Sequence, residues 1–104
     1  MFNIGKMFQK DAPNLSSLLQ EGAQVIDVRS PDEFNTGHVA GSVNIPVNEL
    51  VSRMQEIKSW NSAVITVCRS GARSSAGADL LKKAGVDAHN GDSWTDFESR
   101  LKSR

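Results

Sequence analysis

Residues 63–85 read AVITVCRSGARSSAGADLLKKAG, and this stretch decides the fold. Residues 63–67 are β-branched and mostly apolar, the composition of a strand buried on both faces. Ala76, Leu80, Leu81 and Ala84 then recur at helical spacing. Lys82 and Lys83 occupy the last turn, and Gly85 follows where a glycine commonly stops a helix. Between strand and helix lies a tight loop, Cys68-Arg69-Ser70-Gly71-Ala72-Arg73, followed by Ser74 and Ser75. Cys68 is the only cysteine, so no internal disulfide can form. Such a residue is either a buried small hydrophobe or a reactive thiol.

The neighbours of Cys68 favour the reactive thiol. Successive backbone N–H groups in a tight loop before a helix can point inward as an anion nest, and the helix dipole adds partial positive charge. Gly71 supplies the backbone freedom for such a curl. Arg69 and Arg73 add full positive charge and cannot act as bases. Two expectations follow: the thiol pKa falls, and an anionic substrate is drawn to the sulfur. Ser70 and Ser74 are candidates to donate hydrogen bonds to the sulfur or its ligand, with Ser74 alternatively a helix cap. A nucleophile and an oxyanion-binding loop in one place point to transfer of a group from a small anion onto sulfur.

Upstream, residues 24–28 read as a second buried strand, with Asp27 near its end. Ser30-Pro31-Asp32-Glu33 open a helix: Ser30 caps it, Pro31 suits the first helical position, and Glu33 completes a capping box. Gly37 keeps that helix short. Residues 38–42 form a loop, and residues 43–45 a brief strand stopped by Pro46. Nearer the N-terminus, Asn14 caps a helix that buries Leu15, Leu18 and Leu19 and ends at Gly22. Residues 6–9 have the pattern of a short edge strand. Asn48 is expected to cap a helix with Leu50, Met54 and Ile57 on one face and Val51 beside them. Downstream, residues 86–89 form a last strand, Asn90-Gly91-Asp92 turn the chain, and Ser93 caps a final helix that packs Trp94, Phe97 and Leu101 inward.

Strands alternating with helices imply an α/β fold, a parallel sheet with helices on both faces. Sites in such sheets form beyond the carboxyl ends of the strands, where Cys68 stands. The 104 residues make one expected domain, 1–104, with its core over about 14–101. Twelve Lys and Arg balance twelve Asp and Glu, which argues against a nucleic-acid or membrane-surface partner. No apolar run approaches bilayer length. The first residues carry no continuous apolar region and no cleavage pattern, so a cytoplasmic protein is expected.

The motif Cys68-x-x-Gly71-x-Arg73 resembles the active-site loop of single-domain rhodaneses. Asp27-Val28-Arg29, Pro31-x-Glu33-Phe34 and Gly37-His38-Val39-x-Gly41-Ser42-x-Asn44-Ile45-Pro46 resemble the family's N-terminal signature. Asn90-Gly91 with Trp94 resembles its C-terminal one. The resemblance implies a five-stranded parallel sheet with helices on both faces. It also implies a thiosulfate sulfurtransferase in which Cys68 is catalytic and carries the sulfur as a persulfide. Arg69, Ser70, Gly71, Ala72, Arg73 and Ser74 would bind the substrate, with Asp27 and Arg29 as structural support. The implied partners are a small anionic sulfur donor and a cyanide or thiol acceptor; a protein donor or acceptor stays open. No metal or organic cofactor is implied. Asp92 departs from the resemblance, standing where the family commonly has a second glycine. A carboxylate bordering the pocket would oppose anionic donors, but turn chemistry favours a solvent-facing residue there.

Two other functions stay in view. A non-catalytic sulfur carrier or binding module would keep the same loop. Phosphatases and arsenate reductases use a similar one, but typically with one residue more than the four that separate Cys68 from Arg73. A tighter ring suits sulfur better than a tetrahedral phosphate, and Val67 stands where the phosphatase signature has His. His38 is expected to be structural, because it sits in a glycine-flanked loop. His89 reads as a strand-end residue. Two isolated histidines and one cysteine make no zinc site.

Overall fold

The computed structural model describes residues 14–102. The expected edge strand at residues 6–9 lies outside them. Helix α1, Leu15–Gln20, begins at Asn14, whose side chain accepts from the Ser16 and Ser17 amides. Strand β1, Gln24–Asp27, leads to helix α2, Pro31–Asn35, whose N-terminus carries the full Ser30–Glu33 capping box. Strand β2 is only Val43–Asn44. A 3-10 turn, Val47–Glu49, precedes helix α3, Met54–Ser59. Strand β3, Val64–Cys68, is buried throughout. Helix α4, Ala72–Lys83, strand β4, Ala88–Ser93, and helix α5, Trp94–Lys102, complete the order.

Among the described residues the sheet has four strands in the order β2-β1-β3-β4, and every pairing is parallel. Alternation along β3 sends its side chains to two cores, as a period of two requires. Val64 and Cys68 join Ile26, Leu50, Ile57 and Leu81 on one face. Ile65 and Val67 join Val25, Val39 and Phe97 on the other, where Leu15, Leu18, Leu19, Trp94 and Leu101 pack. Helices therefore cover both faces, and the central strands β1 and β3 deliver Asp27 and Cys68 to the same edge of the sheet.

Two local expectations are corrected. Asn48 caps no helix: it is exposed within the 3-10 turn, and α3 starts later with Arg53 at its cap position and no side-chain cap. Pro46, with φ −53°, turns the chain early, and the Val47 amide donates to the Val28 carbonyl at 3.0 Å. Residues 47–59 are thus not one helix, and Val51 falls off the apolar stripe at 68% exposed while Leu50 is fully buried. Asn90-Gly91-Asp92 are not a free turn either; they belong to β4. The register between β3 and β4 shifts between Thr66 and Cys68, a bulge-like irregularity.

Candidate active site

Strand β3 ends at Cys68 and helix α4 starts at Ala72, so the expected loop is shorter than it reads. Gly71 sits at the cap position with φ 103°, a left-handed conformation that favours glycine. That curl turns amides back onto the sulfur. The Gly71 N–H donates to Cys68 Sγ at 2.9 Å and the Ser74 N–H at 3.3 Å. The sulfur also lies 3.3 Å from Ser74 Oγ. As a thiol, Cys68 donates to that oxygen; as a thiolate, it can accept from the hydroxyl.

Cys68 is only 1% exposed. Burial pushes its pKa up, because a thiolate loses solvation. Hydrogen bonds from the Ser74 hydroxyl and the Ser74, Gly71 and Ser70 amides outweigh that penalty, and the net direction is down from the ordinary thiol value.

Ser74 is fixed by its own partners. Its hydroxyl lies 2.6 Å from Asn90 Oδ1 and 3.1 Å from the Gly71 carbonyl oxygen, alternative acceptors for its one proton, while Thr66 Oγ1 donates to its carbonyl at 2.8 Å. Asn90 reaches Ser74 from β4, which leaves no room for a side chain at Gly91 against β3. A Cβ on Gly91 would stand 2.8 Å from Ile65 Cγ2 and 3.0 Å from the Thr66 carbonyl oxygen. Thr66 carries no signal of its own in the sequence, and Asn90-Gly91, which resembles the family's C-terminal signature, reads locally as a turn until the neighbouring strand is known.

Arg73 does not point its guanidinium at the sulfur. It grips Glu33 through Nη1–Oε1 at 2.8 Å and Nη2–Oε2 at 3.1 Å. That hydrogen bonding, with the Ser30 N–H, holds the Glu33 carboxyl down at about 2. Arg73 therefore ties α2 to the loop, and its charge reaches Cys68 only through space. Arg69 and Ser70 are exposed at the rim, and Arg69 makes no ion pair among the described residues.

Asp27 and Arg29 pair with each other. Arg29 Nη2 donates to Asp27 Oδ2 at 2.7 Å, and Asp27 Oδ1 accepts from the Arg29 backbone N–H at 3.0 Å. Both are buried, so each needs the other. The same guanidinium also donates to the carbonyls of Glu33 and Gly37 and stacks 4.8 Å over Trp94. Arg29 thus meets the backbone of Glu33 but not its carboxylate. His38 donates from Nδ1 to the Phe34 carbonyl at 2.9 Å and stacks on the Phe34 ring. No contact links it to Cys68. His89 meets Asp87 at 2.9 Å.

Asp92 borders the loop rather than merely facing solvent. It is exposed, has φ 65°, and its Oδ1 lies 3.1 Å from the position of a Cβ on Gly71. Asn90 Nδ2 donates to that oxygen at 3.1 Å, and the Asp92 amide donates to Asn90 Oδ1 at 2.9 Å.

A family model described as "Rhodanese-like domain" matches residues 11–93. The chain belongs to that family. It is 34% identical over 85 residues to thiosulfate sulfurtransferase GlpE of Pseudomonas aeruginosa, covering 80% of this chain and 76% of that one. It is 35% identical over 65 residues to the putative sulfur carrier protein YrkF of Bacillus subtilis, covering 62% of this chain and 35% of that one. The human single-domain sulfurtransferase TSTD1 superposes with a TM-score of 0.65 at 30% identity, covering 88% of this chain and 93% of that one. The chain spans 49% of the length of another B. subtilis relative, YqhL, at 43% identity over 63 residues. The rhodanese fold accounts for the parallel sheet and for a loop at the carboxyl end of a central strand. What this rhodanese places around that loop is a converging set of amides, a neutralised arginine and a carboxylate at the rim.

Proposed function

We propose that the protein is a sulfurtransferase that carries a sulfane sulfur on Cys68, taken from thiosulfate or a similar donor. One observation carries the reading: the amides of Gly71 and Ser74 converge on the sulfur. In the first half-reaction the Cys68 thiolate attacks the outer sulfur of thiosulfate. The S–S bond of the donor breaks, sulfite leaves with the electron pair, and Cys68 becomes a persulfide anion. In the second, cyanide or a thiolate attacks the terminal sulfur, and Cys68 leaves as thiolate. The nest amides stabilise an anion at each stage, so one arrangement serves both halves. Arg69 and the loop residues Ser70, Gly71, Ala72 and Ser74 form the approach to the sulfur, and Arg73, paired with Glu33, fixes the start of the helix that carries Ser74.

Intact mass measurement tests this. Incubation with thiosulfate adds one sulfur atom to the wild type and none to Cys68→Ser, and cyanide then removes it. A wild type that loads neither from thiosulfate nor from a persulfide ends the proposal. Turnover of an aryl phosphate in place of sulfur loading would favour the phosphatase reading.

A further inference from the structure

We infer that Asp92 sets the donor preference of Cys68, selecting a persulfide over the thiosulfate dianion. The inference rests on the sulfurtransferase reading and names the donor class within it. Asp92 Oδ1 is 3.1 Å from the point where a Gly71 Cβ would stand. The Gly71 nitrogen is 2.9 Å from the sulfur. Bond geometry then keeps the carboxylate within about 9 Å of Cys68 Sγ. That upper bound is close to one Debye length at physiological salt, so the exposed carboxylate acts on the sulfur in attenuated form.

Asn90 Nδ2 donates to the carboxylate at 3.1 Å, on a backbone with φ 65°. Glu33 occupies the Arg73 guanidinium at 2.8 and 3.1 Å, Arg69 is exposed at the rim, and Arg100 Nη2 donates to the Gly91 carbonyl at 3.4 Å. A dianion entering this field meets repulsion from Asp92 twice over. A persulfide, with one negative charge or none, meets half of it or none.

The persulfide reaction balances without a redox partner. The Cys68 thiolate attacks the outer sulfur of R–S–SH and forms the new S–S bond. The donor's S–S bond breaks, and its electron pair leaves on the inner sulfur as R–S⁻. That thiolate takes up the proton of the transferred S–H, leaving Cys68 as a persulfide anion and R–SH as product.

The test compares loading rates of Cys68 from thiosulfate and from an alkyl persulfide with no other charge, followed by intact mass. Asp92→Asn keeps the size, tolerates positive φ and deletes the charge. Asp92→Gly deletes it in a residue free of strain at that φ. Both variants are expected to raise kcat/KM for thiosulfate by about three- to tenfold and to change that for the persulfide by less than about twofold. The gain shrinks as salt rises. A thiosulfate-to-persulfide ratio that stays constant in both variants, with Cys68 still loading, overturns this inference alone. Absence of loading from either donor in the wild type overturns the sulfurtransferase reading and this inference with it.

Discussion

Cys68 is held between two opposing effects. Near-complete burial disfavours a thiolate, yet three backbone amides and one hydroxyl favour it, and the hydrogen bonds win. The sign for stability follows. A folded thiol pKa below the ordinary value adds stability above that ordinary value, and the gain is lost as pH falls through the folded one. Ser74 is the residue to remove, because it gives both an amide and a hydroxyl. Ser74→Ala keeps the amide and loses the hydroxyl. The acid limb of the sulfur-loading profile should then move to higher pH, with the rate at neutral pH down roughly tenfold for one lost hydrogen bond to a charged group. An unmoved limb would mean the hydroxyl spends itself on Asn90 and Gly71 in the ionised state too. Arg73 teaches a related lesson. A loop arginine reads as an anion receptor, but a carboxylate 40 positions away in sequence already occupies it.

At the scale of elements, the site depends on β4 lying against β3. Gly91 permits that approach and so sets Asn90 against Ser74. Gly91→Ala would push a methyl into Ile65 and the Thr66 carbonyl. Backbone does not give way as a flexible side chain would, so urea denaturation should show a loss of about 1–3 kcal/mol. Loading of Cys68 should slow in the folded fraction as well, because Ser74 loses its anchor. A variant with wild-type stability would show that β4 can shift at little cost. The Asp27–Arg29 pair works at the same scale. It joins the end of β1 to the carbonyls of Glu33 and Gly37 and to the face of Trp94, and so fixes the segment that presents Glu33 to Arg73.

Across the whole molecule, the Glu33–Arg73 bridge fastens helix α2 to the Cys68 loop. Glu33 is held at about 2 by Arg73 and Ser30, against an ordinary 4.5. Its folded pKa is depressed, so its contribution is complete above about 4.5 and fades as pH falls toward about 2. Both side chains are a third or so exposed, at 32% and 40%, and solvent screening limits the contribution to about 1 kcal/mol or less. Denaturation midpoints followed from pH 5 down to pH 3 should therefore fall more steeply in the wild type than in Glu33→Gln. Parallel curves would assign the bridge no energetic role. Among the described residues, no helix is long and apolar enough to cross a membrane.

The alternation of strands and helices, the buried strand before Cys68, the Ser30 capping box and the glycine at the loop were all legible in sequence. Each rests on contacts within a few residues: periodicity, caps and the φ that one glycine allows. The partners of those groups were not legible. That Glu33 takes Arg73, that Asn90 holds Ser74, that Asp92 leans on Gly71, and that Val51 faces solvent all depend on which strands lie side by side and where the chain turns early. Such pairings join residues far apart in the chain, and nothing in the local spacing encodes them. The chain alone therefore determined a thiol in a glycine-curled loop; only the packed sheet decided which charges surround it.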